Sequence, residues 1–351
     1  MYKTRLSKLQ DIITTNTLDA LIVEAPTNIL YLTGLELSKG LIMVTKKGSS
    51  TLFVDGRYYE DCKERSPFPV ELFDPKALHT KTSERIGFDS SRTTYSEFMA
   101  LKEVFTTQLV AIENPFKTVR AIKDTDECNA LRRSAALASD GFKHGCSLLK
   151  EGISEREIAT EIEIFWKRRG AEGPSFDINV SFGINSAFPH HHAGNDTLKT
   201  GDIVLMDIGT TLDGYASDMT RVVAFGTPNQ KLVEIYDIVK SAQQSALDIC
   251  RPGSTLGALD SAARDVITAA GYGEFFTHGL GHGIGLDVHE HPFVRNREPF
   301  ASIPLEPGMA ITIEPGIYLP DLGGIRIEDT IIITNDGHEN LILVDKTSLL
   351  P

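Results

Sequence analysis

Four carboxylates and one imidazole stand at positions where ordinary packing does not want them. Asp207 interrupts the almost wholly apolar segment IVLMDI (203–208), and Glu314 ends a second such segment in AITIEPG (310–316). Runs of this kind read as strands buried on both faces. An ionised carboxylate buried there is costly unless it is paired, hydrogen-bonded or metal-bound. Each strand then leads through a turn to another strand with an acid: Asp218 in GYASDMTRVVAF and Glu328 in GIRIEDTIIIT. Two-residue alternation puts Asp218 with Thr220 on one face and Arg326 with Glu328 on one face. The segment HGLGHGIGLDVHEHP (278–292) sets His282 among four glycines, where bare backbone can approach a site closely. Four carboxylates and one imidazole form a hard, oxygen-rich donor set suited to two divalent ions, whose charge the four carboxylates balance. Two such ions side by side lower the pKa of a bridging water and polarise a carbonyl, the chemistry of two-metal hydrolysis. There is no thiolate cluster and no HExxH, so zinc-finger and zincin sites are excluded. Any one acid could instead pair with Arg221 or Arg326, or simply end a strand. Four at matching places are harder to explain that way.

The elements that must hold these residues form a faint repeat. KEGISEREIATEIEIFWKRRG (150–170) resembles RPGSTLGALDSAARDVITAAG (251–271), pairing Gly152 with Gly253, Ser154 with Thr255, Ile158 with Leu259 and Gly170 with Gly271. TGDIVLMDIG (200–209) then matches PGMAITIEPG (307–316), pairing Gly201 with Gly308 and Asp207 with Glu314. The pattern predicts two similar halves, each with helices and a β-hairpin carrying two acids. Lone Trp166, one residue past Phe165 in a helical pattern, reads as core.

Upstream, DALIVEA (19–25) and GLIMVT (40–45) read as buried strands, and STLFVDGRYYEDCKE runs from strand into helix, the alternation of a small α/β domain. The pattern breaks near Asn114-Pro115, and Asp124 with Glu127 gives a capping box before the helical spacing of Leu131, Ala135, Ala138 and Phe142. The expected domains are residues 1–117 and 118–351.

Composition bounds the rest. The 351 residues carry 35 basic and 48 acidic side chains, a net charge of −13. Residues 1–115 hold 14 basic and 15 acidic groups, so nearly all the excess lies in the second domain, as do His190, His191, His192, His278, His282, His289 and His291, seven of the ten histidines grouped in two short segments. An acidic balance disfavours nucleic acid and anionic membrane surfaces as partners. No apolar run reaches the length of a membrane span, and no signal peptide is legible. Cys62, Cys128, Cys146 and Cys250 form no CxxC pair, which fits a reducing compartment, and the expected location is cytoplasmic.

The motifs MDIG, SDMTR, HGLGHGIG, IEPG and RIEDT, in this order, resemble the pita-bread metallopeptidases: Xaa-Pro aminopeptidases, Xaa-Pro dipeptidases and methionine aminopeptidases. NILYLTG (28–34) and DGRYYE (55–60) extend the likeness to the creatinase-type N-terminal domain of the proline-specific members. The resemblance implies an α/β N-terminal domain followed by an α+β pita-bread catalytic domain with an internal pseudo-two-fold repeat.

It further implies that Asp207 binds one metal in bidentate fashion. Asp218 and Glu328 would bridge both ions, and His282 and Glu314 would hold the other. Glu314 would also take and return the proton of the attacking, metal-bridging hydroxide. His190, His278 and His289 would act as non-ligand catalytic histidines, holding the substrate backbone and stabilising the tetrahedral intermediate; for His278 a supporting or core role is the alternative. Arg326 would join His190 and His289 in substrate binding and orient or neutralise Glu328, with a structural ion pair as the alternative. His191, His192 and His291 have no counterpart in the family and read as solvated loop residues.

The cofactors implied are two divalent ions, Mn(II) by preference, with Co(II), Fe(II) or Zn(II) able to fill the same site. The partner implied is a peptide beginning Xaa-Pro, and relatives suggest a homodimer. A methionine aminopeptidase is disfavoured by the N-terminal domain, and a creatinase or a non-catalytic binding module by the complete donor set. Between the proline-specific activities the reading leans to the aminopeptidase. A dipeptidase must hold the free carboxylate of its substrate, usually with arginine, and the expected position, four residues after the histidine of His289-Glu290, is Phe293. Arg295 and Arg297 stand close enough to substitute, so the dipeptidase is the alternative.

Overall fold

The computed structural model describes residues 2–46, 50–75, 78 and 85–346. By its internal contacts the chain divides into two compact units, Met1–Arg120 and Ala121–Pro351. Among the described residues, no helix is long and apolar enough to cross a membrane.

The first unit is built on six strands, β1 (Ala20–Val23), β2 (Leu41–Thr45), β3 (Thr51–Val54), β4 (Val70–Leu72), β5 (Arg85–Asp89) and β6 (Gln108–Ile112), with helices α1 (Tyr2–Thr15), α2 (Pro26–Thr33), α3 (Tyr59–Arg65) and α4 (Tyr95–Val104). Their order in the sheet is β4-β3-β2-β1-β5-β6, with β1, β5 and β6 parallel to one another and β2 antiparallel to β1. β1 is buried at every position, as expected of a central strand covered on both faces. α2 starts on Pro26, whose missing N–H costs nothing in a first turn, and ends at Gly34 in the left-handed conformation. α5 (Lys117–Ala121) spans the point in the chain where the two units divide.

The second unit holds four long helices, α6 (Thr125–Ser147), α7 (Glu155–Lys167), α8 (Gln230–Asp248) and α9 (Leu256–Ala269). Thirteen strands follow the first six: β7 (Gly173–Pro174), β8 (Asn179–Phe182), β9 (Ile203–Ile208), β10 (Thr210–Leu212), β11 (Tyr215–Ala216), β12 (Met219–Ala224), β13 (Gly281–Gly283), β14 (Glu290–Val294), β15 (Ala310–Ile313), β16 (Gly316–Leu319), β17 (Gly323–Arg326), β18 (Asp329–Ile333) and β19 (His338–Asn340). The capping box before α6 forms, with the Asp124 carboxylate accepting from the Asp126 and Glu127 amides and Glu127 accepting in return from the Asp124 N–H.

The repeat is visible in backbone detail. Gly152 and Gly253 have φ of 86° and 89°, Gly170 and Gly271 90° and 87°, and Gly201 and Gly308 101° and 90°. These are left-handed positions that glycine occupies without a Cβ clash. Ser154 caps α7 through the Glu157 amide, and Thr255 caps α9 through the Ala258 amide. The same caps make matching isolated bridges, Ser154 to Thr197 and Thr255 to Pro304. In the first half β12, β9 and β8 form one antiparallel sheet, and in the second β15 and β18 pair within the sheet β14-β13-β15-β18-β19. Two apolar cores lie in this unit, and each draws on both halves. One gathers Leu131, Ile158, Trp166 and Met206 with Ala310 and Ile332; the other Ile235, Leu259, Ile313 and Ile331 with Leu205 and Val222. Trp166 is fully buried and its indole N–H donates to the Leu137 carbonyl at 3.0 Å. An isolated bridge, Thr220 to Glu328, joins the halves where the acids lie.

Candidate metal centre

The five expected donors come from strand ends that converge on one cavity of about 510 Å³, which Asp207, Asp218, His282, Glu314 and Glu328 all line. Asp207 is on β9, opposite Thr220 of β12; Asp218 immediately precedes β12; Glu314 follows β15; Glu328 sits between β17 and β18. Ligand atoms of Asp218, His282 and Glu328 lie within 4.8 Å of one another. His282 Nε2 is 3.5 Å from Asp218 Oδ2 and 3.4 Å from Glu314 Oε1. The glycines around His282 serve close approach: a Cβ on Gly281 would collide with the Thr312 carbonyl of β15, and one on Gly283 would meet the His291 carbonyl at 2.6 Å.

The electrostatics are those of a site built for a cation. Burial, then Glu328, Asp207 and Glu314, raise Asp218 well above the carboxylate range, and Arg326 opposes them. Glu314 is raised chiefly by burial and Glu328, again against Arg326. Glu328 is pushed up to about 8 by burial and Asp207. Burial, helped by His289, takes His282 down to about 3, so the ring is neutral at pH 7. Its Nδ1 is 3.1 Å from the Gly283 carbonyl, which fixes the proton on Nδ1 and points the bare Nε2 lone pair at two carboxylates. A lone pair facing carboxylate oxygens at such distances lacks a positive partner, and divalent ions fit that gap.

Supporting contacts orient the acids. Thr220 Oγ1 donates to Glu328 Oε2 at 2.7 Å, and Thr312 Oγ1 to Glu314 Oε1 at 3.3 Å. The Gln243 amide, fully buried on α8, donates to the Ile313 and Ile327 carbonyls, each one residue before a site carboxylate. Arg221 donates through Nη1 to the Glu328 carbonyl at 2.6 Å and through Nη2 to Asp329 Oδ1 at 2.6 Å; Lys346 Nζ closes the network on Asp329 Oδ2 at 2.5 Å.

Several expectations need correction. Arg326 does not contact Glu328 directly: it donates to Asp207 Oδ2 at 2.5 Å, to Thr220 Oγ1 at 3.0 Å and to the Tyr318 hydroxyl at 2.8 Å. It is 3% exposed and each of its three guanidinium nitrogens donates to a protein acceptor, with Thr220 linking it to Glu328, contacts that fit the structural ion pair. Both ring nitrogens of His278 are engaged, Nδ1 at 2.8 Å from the Gly279 carbonyl and Nε2 at 2.8 Å from the Tyr318 hydroxyl. Burial, then Arg326, lowers His278 to about 4. That geometry fits the supporting alternative rather than a direct donor. His190 and His289 line the cavity from exposed positions, and the His289 ring lies 4.3 Å from that of His282. His191 is not a solvated loop residue: it is half-buried and its Nε2 is 2.8 Å from Glu155, a buried carboxylate that also takes the Phe182 and Gly194 amides. His291 is also half-buried, its ring 6.0 Å from that of Phe300, whereas the His192 side chain is 82% exposed. Tyr318 was missed in the sequence because nothing local marks a tyrosine whose partners lie on other strands.

Comparison with known proteins agrees with this picture. The model of "Metallopeptidase family M24" matches residues 129–335, and that of "Creatinase/Prolidase N-terminal domain" residues 5–122. The Xaa-Pro dipeptidase of Pyrococcus furiosus is 36% identical over 99% of this chain and 100% of its own length. The solved structure of an Xaa-Pro dipeptidase from Bacillus anthracis superposes with a TM-score of 0.96 at 33% identity, covering 100% of both chains. The X-Pro aminopeptidase from Thermotoga maritima superposes with a TM-score of 0.88 at 32% identity, covering 95% of this chain and 97% of the other. With both units matched and the pita-bread architecture in place, the chain belongs to the M24 metallopeptidases, enzymes that use divalent metal ions, and carries the creatinase/prolidase N-terminal domain.

Proposed function

We propose that this chain is an Xaa-Pro dipeptidase, with Asp207, Asp218, His282, Glu314 and Glu328 holding two divalent ions, Mn(II) by preference. The observation that carries the choice is Arg295. The sequence placed Phe293 where a carboxylate-binding arginine was expected, but Arg295, just past β14, lines the same cavity as the five donors, its guanidinium 5.0 Å from the Phe293 ring. A cation on the lining of the cavity that holds the five donors suits the free C-terminal carboxylate of a two-residue substrate. The dipeptidases among the relatives support the same reading, which replaces the aminopeptidase lean.

When bound, the ions supply Lewis-acid polarisation of the scissile carbonyl and acidify a water. The protein's own groups do the rest. Glu314 takes that proton and delivers it to the departing proline nitrogen. His190 and His289, exposed on the cavity wall, donate to the substrate carbonyl as negative charge develops. Arg326 holds the Asp207 carboxylate, and His278 with Arg326 fixes the Tyr318 hydroxyl between them. Phe176 and Phe293 offer apolar surface for the proline ring.

The aminopeptidase reading retains one specific observation: Arg295 is exposed, so a longer peptide could pass it. Specificity constants for Ala-Pro and Ala-Pro-Ala on Mn(II)-loaded protein decide. The dipeptidase reading expects Ala-Pro to be preferred at least about tenfold, the value of one well-placed charged hydrogen bond; equal or better cleavage of Ala-Pro-Ala overturns it.

A further inference from the structure

His190 reaches the metal cavity from a turn, and a buried acid holds that turn in place. After β8 the chain forms a 3-10 helix, Gly183–Ala187, and then runs as turns and loop, with His190 and His191 midway, until β9 begins at Ile203. His190 lines the cavity from an exposed position, and among the described residues no hydrogen bond holds its ring. Its neighbours are held instead. On one side the Pro189 carbonyl accepts from Asn179 Nδ2 at 3.3 Å, and the Ser181 hydroxyl, donating to Asn179 Oδ1 at 2.6 Å, orients that amide. Asn179 stands opposite Asp207 in the register of β8 and β9, so the turn is tied to the strand pair that carries a metal donor. On the other side His191 Nε2 lies 2.8 Å from Glu155 Oε2. Glu155, the first residue of α7, is 0% exposed, and each of its oxygens meets two donors. Oε1 takes the Phe182 N–H and Asn185 Nδ2; Oε2 takes the His191 ring and the Gly194 N–H. A carboxylate only accepts, so the His191 proton sits on Nε2. The Glu155 and Arg156 N–H groups add bonds to the Asp196 and Gly194 carbonyls of the same loop. The other half fastens a histidine-bearing loop comparably: Asp260 of α9, 2% exposed, accepts the Leu280 N–H, and Arg264, paired with it, donates to the His278 carbonyl.

We propose that Glu155, acting through His191, is a positioning residue for His190, an assignment that rests on His190 donating to the substrate carbonyl. A buried network with every acceptor filled resists displacement. Without it the turn can shift, and a displacement of about 1 Å at a reacting group costs about 100-fold in rate. His190 is asked to donate where negative charge develops, so its misplacement falls on kcat rather than on KM. Neither Glu155 nor His191 bonds to any of the five metal donors among the described residues, so the ions stay bound when the pair is broken.

Steady-state kinetics of the Mn(II)-loaded full chain test it, with whichever of Ala-Pro and Ala-Pro-Ala the unmodified protein turns over faster. His191→Phe keeps a ring and removes the N–H, whereas His191→Gln keeps an N–H donor at similar reach. In His191→Phe kcat should fall at least about tenfold, with KM within about twofold and Mn(II) content unchanged, and His191→Gln should recover most of the loss. Glu155→Gln should match His191→Phe; the half-buried His191 variants carry the test if Glu155→Gln does not fold. In a His190→Ala background, His191→Phe should lower kcat by less than about a further twofold, because the group it acts through is already gone. Unchanged kcat in His191→Phe, no recovery in His191→Gln, or an undiminished loss in the His190→Ala background overturns the proposal. Full turnover in His190→Ala alone overturns the donor role of His190 itself, and the positioning role falls with it.

Discussion

Replacing Arg221 by methionine tests how the carboxylates are held from behind. Arg221 is 2% exposed and reaches four acceptors through its two terminal nitrogens: the Thr220 carbonyl at 3.0 Å, the Glu328 carbonyl at 2.6 Å, Asp329 Oδ1 at 2.6 Å and the Val344 carbonyl at 3.0 Å. The Asp329 side chain is 0% exposed. Methionine fills much of the volume but leaves Asp329 with Lys346 alone. Removing one partner of a buried ion pair costs about 3–5 kcal/mol. Lys346 stays in place, so the lower end, about 3 kcal/mol, is expected. At about 2–4 °C per kcal/mol for a unit of this size, the melting temperature of the metal-free protein falls by about 6–12 °C. The pH dependence gives a second signature. Burial works to raise Asp329, and Arg221 with Lys346 outweighs it, holding the carboxyl below its ordinary 3.8. A depressed folded pKa contributes stability that is present above the unfolded value and lost as pH falls through the folded one. With Arg221 gone, that loss begins at higher pH. Because Arg221 also pins the Glu328 carbonyl, metal should bind about 10–100-fold more weakly. Calorimetric unfolding of metal-free protein across pH 3–7, with Asp329→Asn and the double variant completing a cycle, measures the stability and its pH dependence, and Mn(II) titration of Arg221→Met measures the affinity. A loss below about 1 kcal/mol, or strict additivity in the cycle, refutes the reasoning.

Other outcomes follow from the same geometry. His282→Ala should abolish tight metal binding and Xaa-Pro hydrolysis while the protein stays folded, as read by metal analysis and circular dichroism. Arg295→Ala should raise KM for Ala-Pro about 10–100-fold with little change in kcat and leave Ala-Pro-Ala less affected, because a hydrogen bond to a charged group is worth about 1.5–3 kcal/mol. Gly281→Ala should weaken metal binding, since the added methyl would displace the Thr312 carbonyl beside His282; unchanged metal affinity and turnover would count against close strand approach as the reason for glycine there. Cys146 and Cys250, whose thiols burial pushes up to about 12, should resist iodoacetamide at pH 8 in the folded protein and react on unfolding, measured by mass spectrometry.

The parts of the site legible in the sequence are those with a local signature. Asp207 and Glu314 break apolar strands, His282 sits in a glycine run, and the caps Ser154 and Thr255 with their flanking glycines fix the half-repeats by backbone conformation alone. What stayed hidden is set by pairing between distant segments. Arg326 stands two residues from Glu328 in the sequence, but its guanidinium pairs with Asp207 on β9, because the halves meet at the Thr220–Glu328 bridge. Asp329 and Lys346 carry no local signature, and Arg221, read as a partner for a site acid, is found on Asp329 and the Glu328 carbonyl once β12, β18 and the chain beyond residue 340 are brought together. His191 reads as loop until the buried Glu155 carboxylate is found to need it. The register of β14 against β13 shifts between His282 and Gly283, so counting residues past His289 could not tell which side chain reaches the cavity. Phe293 and Arg295 both line it.

The central claim is that the five converging side chains hold two ions without which Xaa-Pro peptides are not cleaved. Titrating metal-free protein with Mn(II) while following Ala-Pro hydrolysis tests it most directly. The account predicts no turnover without metal, activity that rises until two equivalents per chain are bound, and neither tight binding nor activity in Asp218→Asn. Full turnover in the metal-free protein, or in Asp218→Asn, would contradict it.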